Sequence, residues 1–203
     1  MKQLVSAILT LFLVMDPIGN TPLFMGYLKD VKDERRGRIV ARESVFALLI
    51  LLAFLLLGPT LMSLLGVGRE SLYISGGVLL FLIAVGMIFP GGAYLGIHAE
   101  DLTEGEPFIV PLAVPLIAGP STMATIMIFA SQPEPLWVWL VALVVAWGLG
   151  ATILMLAPGF SRLLGRRGLR ACERLMGMVL TVLAVQMFID GVLGIHRLFA
   201  QKP

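Results

Sequence analysis

Charge is scarce in this chain. Asp, Glu, Lys and Arg make up 14% of its 203 residues, with two histidines and one cysteine besides. The lone cysteine, Cys172, excludes an internal disulfide or a two-cysteine redox relay; its expected role is a small apolar filler near a helix start. No phosphate-cradling run of the G-x-x-x-x-G-K-S/T type occurs, which argues against ATP-driven transport within this chain. No His, Cys and carboxylate set has metal-ligand spacing, and no Ser, His and Asp set suits a membrane interior. The expectation is a protein that is not an enzyme and needs no metal or cofactor. A net charge of +2 makes no case for nucleic acid, because the basic residues sit beside apolar runs where membrane topology accounts for them.

Those apolar runs are what the chain has instead. Hydrophobic residues reach 58%, and stretches able to cross a bilayer recur at about 4–28, 44–66, 71–90, 108–131, 136–158 and 175–196. The connections are too short for a soluble domain, so residues 1–203 read as one all-α transmembrane domain of six helices. The first run reads as a retained span and not a cleaved signal. No small-x-small site follows it, and it continues through Asp16-Pro17 to Leu23-Phe24-Met25.

Orientation follows from the basic residues. The first connection carries Lys29, Lys32, Arg35, Arg36, Arg38 and Arg42, and the fifth carries Arg162, Arg166, Arg167, Arg170 and Arg174, on the same side. The other side holds Lys2, Arg69, Arg197 and Lys202. An excess of Lys and Arg marks cytoplasmic loops, which predicts both termini on the outer side of the membrane. Trp137 and Trp139, at an outer span end, are placed as interface anchors.

The two halves, about 1–90 and 108–203, resemble each other in ways that suggest an inverted repeat. Pro59-x-x-x-x-Leu64-Leu65-Gly66 recurs as Pro158-x-x-x-x-Leu163-Leu164-Gly165. At a shift of 100 residues, Gly77, Leu80, Ala84, Val85 and Met87 match Gly177, Leu180, Ala184, Val185 and Met187. Three spans per half is an odd number, so the second half enters the membrane upside down. Two inverted three-helix repeats are a plan of secondary transporters, with the site near mid-membrane at the repeat interface.

The first and fourth spans are each broken by proline and glycine. In the first, Pro17 cannot donate to the carbonyl of Leu13, nor Pro22 to that of Ile18, and Gly19 admits backbone angles that other residues avoid. The helix is expected to stop near Asp16, unwind, and restart at Asn20 or Thr21, with Thr21-Pro22 in the form of an N-cap and a first-turn proline. In the second, Pro115 and Pro120 free the carbonyls of Pro111 and Leu116; Ser121 and Thr122 open the renewed helix, and Ser121 and Thr125 share a face. Freed backbone groups are costly in a bilayer unless they line a polar site. A restarted helix presents a positive end suited to a carboxylate, and unwound carbonyls suit an ammonium group. A free amino acid needs both. Asp16, Gly19, Asn20, Thr21, Gly119, Ser121, Thr122 and Thr125 are the candidate substrate-binding residues. The plainer reading is a pair of kinks that let helices pack closely at Gly19 and Gly119.

Asp16 is the main ionisable candidate. A carboxylate at the bilayer centre costs about 2.5–3.5 kcal/mol, so it should face a cavity or be protonated. It would bind the substrate's ammonium group or take up a coupling proton; near an interface it would only cap a half-helix. Gln186 and Asp190 form a weaker polar pair. Arg42 with Glu43, and Glu173 with Arg174, read as orienting helix starts. His98 and His196 read as interfacial, and Glu100, Asp101, Glu104 and Glu106 as a solvated loop.

At these motifs the chain resembles the MarC family of bacterial inner-membrane proteins, also called the small neutral amino acid transporter family. The resemblance rests on Met15-Asp-Pro-Ile-Gly-Asn-Thr-Pro-Leu-Phe24, on Ile74-Ser-Gly-Gly-Val78 with Met87-Ile-Phe-Pro90, and on Pro107-Phe-Ile-Val-Pro-Leu-Ala-Val-Pro-Leu-Ile-Ala-Gly-Pro120. Glu173-Arg-Leu-Met-Gly177 and Gln186-Met-Phe-Ile-Asp-Gly191 extend it over nearly the whole chain, and within the family it is most similar to the YhgN-like branch. The resemblance implies a multi-pass inner-membrane protein of six spans that moves small neutral amino acids such as glycine and alanine, linked to protons. Much of the family has Asn-Pro where this chain has Asp16-Pro17, which adds a charge at the expected site. Two other classes fit the composition: a non-transporting scaffold or assembly partner, and a small-solute channel.

Overall fold

The computed structural model describes residues 2–28, 31–89, 113 and 117–200. Among these the regular structure is helical, with no strand. The helices are α1 (Lys2–Met15), α2 (Thr21–Tyr27), α3 (Asp33–Leu65), α4 (Arg69–Ile88) and α5 (Pro120–Ala130). A further helical stretch, Leu136–Ala200, is interrupted at Gly165. Its arms are α6 (Leu136–Gly159) and α7 (Arg167–Ala200). α4, α6, α7 and Glu34–Leu65 of α3 are long and apolar enough to cross a membrane, whereas α1 and α5 are shorter apolar helices. No more than 39% of any of these four apolar windows is buried, so most of their hydrophobic surface faces outward, as a lipid solvent allows. Pro115 with the rest of 108–112 and 114–116 in the expected 108–131 span, His98 and the acidic residues Glu100, Asp101, Glu104 and Glu106 lie outside the described residues.

The proline–leucine–glycine motif ends helices as its residues require. Gly66 takes φ 64°, and the amides of Gly66 and Val67 return to the carbonyls of Ser63 (3.3 Å) and Met62 (2.9 Å), the paired bonds of a left-handed helix stop. Its counterpart Gly165 takes φ 61° between α6 and α7. Glycine carries this angle without the steric penalty of a side chain.

α4 and α7 run antiparallel, and their contacts are reciprocal at the 100-residue shift. A Cβ on Gly77 would lie 2.8 Å from the carbonyl oxygen of Ala184 and 3.4 Å from the Cβ of Met187. One on Gly177 would lie 2.9 Å from the carbonyl oxygen of Ala84 and 3.0 Å from the Cβ of Met87. Each glycine lets the other helix's backbone close in, as small residues do between membrane helices. Leu80, Ala84, Met87, Leu180, Ala184 and Met187 form one buried cluster with Val14 and Ile128.

Cross-contacts sort the connections into two ends. Gln3 donates to the Glu134 carboxylate, Arg69 donates to the Ser131 carbonyl, and Gly191 and Gly194 lie against Glu70. The start of α1, the α3–α4 and α5–α6 connections and the C-terminal part of α7 therefore gather at one end. At the other, Arg36 Nε donates to the carbonyls of Leu28 (3.0 Å) and Val31 (2.9 Å), closing the turn between α2 and α3.

Three expectations change, the first being that Glu173 and Arg174 lie inside α7, which begins at Arg167, and not at a helix start. α3 begins at Asp33 and not near residue 44, so Arg42 and Glu43 lie inside the helix. Glu43 is 0% exposed, paired with the Arg42 guanidinium at 2.9 Å, because the basic connection continues the helix instead of ending it. Trp137 is exposed as an interface anchor should be, but Trp139 is buried and stacked on Phe129, with ring centroids 5.0 Å apart. Neighbours two apart on a helix face different directions, and here only one faces outward.

Candidate functional site

The first break forms a compact turn between α1 and α2. Asp16 ends α1 with φ 44°, a left-handed angle that Asp and Asn tolerate better than other non-glycine residues. Its amide reaches the carbonyls of Phe12 and Leu13, each at 3.1 Å, so the group freed by Pro17 is satisfied one residue earlier. The Gly19 amide donates to Asp16 Oδ1 at 3.0 Å, and the Asn20 amide to the Asp16 carbonyl at 3.0 Å. The Thr21 amide takes up the Ile18 carbonyl, the group freed by Pro22, at 3.2 Å.

The polar side chains of this segment serve the turn. Asn20 Nδ2 donates to the Met15 carbonyl at 3.0 Å, and Thr21 Oγ1 donates to the Pro17 carbonyl at 2.9 Å. Thr21 thus acts as a donor across the break, not as the capping acceptor its place before Pro22 suggests. The unwound carbonyls of this first break already accept bonds from the turn itself. The acceptor left over is Asp16 Oδ2, buried and without a partner among the described residues. A buried polar atom of this kind calls for an explanation, as do Ser44 Oγ, Glu134 Oε2 and Trp139 Nε1, which share the condition away from the breaks.

Gly19 is required by space and not by backbone angle. A Cβ there would overlap both Asp16 Oδ2 and the methyl carbon of Met87, which reaches the turn from α4. Pro17 rests against Gly150 of α6, 3.7 Å from where a Cβ would stand.

The second break opens α5 as proline dictates. Gly119 is the N-cap with extended backbone (φ −74°, ψ 162°), Pro120 begins the helix, and no side-chain cap bond closes its start. The Met123 amide meets the Gly119 carbonyl at 2.9 Å, and Thr125 Oγ1 donates to the Ser121 carbonyl at 2.8 Å. Ser121, Thr122 and Thr125 are all buried. Among the described residues, five buried polar side chains lie at the two breaks (Asp16, Thr21, Ser121, Thr122, Thr125), and two more, Glu43 and Ser44, sit in α3.

The breaks share a core. Met15 and Phe24, flanking the first, and Ala113, Ile117 and Ala118, flanking the second, belong to one buried cluster with Ala142 and Ala146 of α6. Gln186 and Asp190 lie elsewhere, bonded to each other at 2.8 Å and exposed on α7. A wholly apolar groove of about 260 Å³ opens between α4 and α7, lined by Gly77, Phe81, Ala184 and Phe188 among others, and no candidate site residue borders it. Among the described residues, no group of three or more His, Cys, Asp and Glu is placed to hold a metal ion.

Sequence reasoning did not single out Met87 at the first break or Glu43 as a buried carboxylate. Met87 carried a signal, its match to Met187, but nothing in the sequence said where its tip points.

Known proteins are similar to this chain over nearly its whole length. The model of the MarC family, described as integral membrane proteins, matches residues 1–196. The chain is 46% identical over 194 residues to UPF0056 inner membrane protein YhgN of Escherichia coli (strain K12), covering 95% of this chain and 97% of that one. A UPF0056 membrane protein of Buchnera aphidicola subsp. Baizongia pistaciae is 44% identical over 193 residues, 95% and 97% of the two chains. One from Pyrococcus abyssi is 34% identical over 186 residues, 91% of each. No solved structure matches the chain.

Proposed function

The chain belongs to the MarC family of integral membrane proteins, and from that premise we propose that it is a secondary transporter of small neutral amino acids, coupled to protons and working by alternating access. One observation carries the reading: a buried, unpartnered carboxylate oxygen at a helix break, in a core shared with a second break that bears buried hydroxyls. A polar site held between discontinuous apolar helices is how membrane transporters accommodate a zwitterion.

Asp16 Oδ2 receives the substrate's ammonium group or the coupling proton. The substrate carboxylate belongs at the start of α5, beside Ser121 and Thr122, where the helix end is positive and uncapped by a side chain. Asn20, Thr21 and Thr125 hold the turns in shape, and Gly19 and Gly119 keep the breaks compact.

The architecture behind this reading is six spans in two inverted three-helix repeats, with α1–α2 and the segment ending in α5 as the broken first and fourth. The reciprocal packing of α4 on α7, and the matched left-handed glycines Gly66 and Gly165, support it. In this reading the end that carries the basic residues around Arg36 and Arg167 belongs in the cytoplasm and both termini on the outer side of the inner membrane, a reading supported by the excess of Lys and Arg that marks cytoplasmic loops.

The test is uptake of labelled alanine and glycine into liposomes across a pH gradient. Saturable accumulation is expected, and Asp16→Asn should abolish proton-driven accumulation while leaving exchange. Absence of binding and uptake for every small neutral amino acid would overturn the substrate class. Flux that never saturates and cannot be driven uphill would make the protein a channel.

A further inference from the structure

We infer that Met87 sets the upper size limit of the substrate side chain, an assignment that rests on the amino-acid reading of the Asp16 site. Asp16 Oδ2 and the Met87 methyl meet over the bare backbone of Gly19, since a Cβ on that glycine would overlap both. Among the described residues, the Met87 thioether is therefore a near neighbour of the unpartnered oxygen.

The root of that side chain is fixed and its tip is adaptable. Met87 is buried on α4, one turn after Ala84, whose carbonyl lies 2.9 Å from where a Gly177 Cβ would stand. Close backbone packing on α7 holds the helix, whereas an unbranched methionine with three rotatable bonds still conforms to what it touches.

Its sequence counterpart separates root from tip. Met187 packs against Gly77 as Met87 packs against Gly177. The Met187 methyl, however, ends 3.1 Å from a Cβ position on Gly76, where the nearest other group is the methyl of Ala124. Of these two methionines, Met87 is the one whose methyl lies beside the unpartnered Asp16 oxygen.

An amino acid whose ammonium group sits on Asp16 Oδ2 turns its side chain toward Met87. A hydrogen or a methyl fits beside a thioether, a longer apolar chain collides with it, and a charged one finds no partner. An apolar pocket discriminates by about 10–200-fold per methylene, so one such residue suffices to separate alanine from leucine.

Binding of glycine, alanine, valine and leucine to the purified full chain tests the assignment. Met87→Ala should raise leucine affinity relative to alanine at least about tenfold, and Met87→Phe should lose alanine while keeping glycine. Met87→Leu and Met187→Ala should keep the original cut-off. An unchanged cut-off in Met87→Ala, with alanine still bound, overturns the role of Met87 alone. No binding of any of the four to the unaltered protein overturns the substrate reading, and this role with it. If Met87→Ala does not fold, methyl-labelled methionine NMR of the unaltered chain decides. Saturating alanine should shift the Met87 resonance and leave that of Met187; an unmoved Met87 resonance overturns the assignment.

Discussion

Gly19 donates its amide to one carboxylate oxygen of Asp16 at 3.0 Å, while the other oxygen of that carboxylate is buried without a partner among the described residues. The residue thus meets two demands: one oxygen holds the turn that ends α1, and the other is left over. An asparagine meets the first demand without the charge, which explains in physical terms why Asn and Asp both suit a position with φ 44°.

Asp16→Asn and Asp16→Ala should therefore part company in stability. Asparagine keeps the left-handed angle and an oxygen for the Gly19 amide, so thermal unfolding in detergent should shift little. Alanine forfeits that bond and is strained at a left-handed angle, for about 1–3 kcal/mol together. Equal losses for the two variants would mean that the turn does not depend on this side chain.

Gly19→Ala should be costly even though the backbone angle there is ordinary. The added methyl meets both the Asp16 carboxylate and the Met87 tip. Overpacking of this kind costs about 1–3 kcal/mol. Combining it with Met87→Ala should recover part of the loss by removing one of the two obstacles. A double variant no more stable than Gly19→Ala alone would place the strain wholly at Asp16.

The pairing of α4 with α7 predicts symmetry in mutational cost. Gly77→Ala and Gly177→Ala each drive a methyl toward a backbone carbonyl, at 2.8 Å and 2.9 Å respectively. Backbone cannot yield as a flexible side-chain tip does, so the helices must separate. The two variants should lower the unfolding temperature by similar amounts, whereas Gly86→Ala, where an added Cβ meets nothing within 4 Å, should be neutral or mildly stabilising. Unequal effects at Gly77 and Gly177 would count against equivalence of the two sites.

Much of this framework is legible in the sequence because it rests on punctuation. Pro59 and Pro158 with their following glycines mark where the chain leaves a helix, and Gly66 and Gly165 do take left-handed angles. The breaks at Pro17 and Pro120 are equally legible, since a missing N–H acts wherever the fold places it. What side chains do next is not. Asn20 and Thr21 are read as groups for a ligand, yet they bond to the carbonyls of Met15 and Pro17, because an unwound turn must satisfy its own backbone first. Trp139 and Glu43 fail for a different reason. Lipid-facing and protein-facing positions of a membrane helix share one composition, so burial against Phe129, or within α3, leaves no trace in the pattern.

Glu43 offers the last test, because its environment fixes the sign of a double-mutant experiment. It is fully buried, with the Arg42 guanidinium at 2.9 Å from Oε1, and its helix neighbours Ile39, Val40 and Ala47 belong to the apolar core. Removing a partner from a buried charge costs more than removing the charge itself. Arg42→Ala should lose about 1.5–3 kcal/mol, the range for hydrogen bonds to charged groups. Glu43→Gln should lose less, since the amide keeps the shape and needs no counter-charge. Once Glu43→Gln is present, Arg42→Ala should become cheaper, so that the double variant is more stable than the sum of the singles implies. Chemical denaturation of the four proteins measures this directly, and strict additivity would show that Arg42 does not neutralise Glu43.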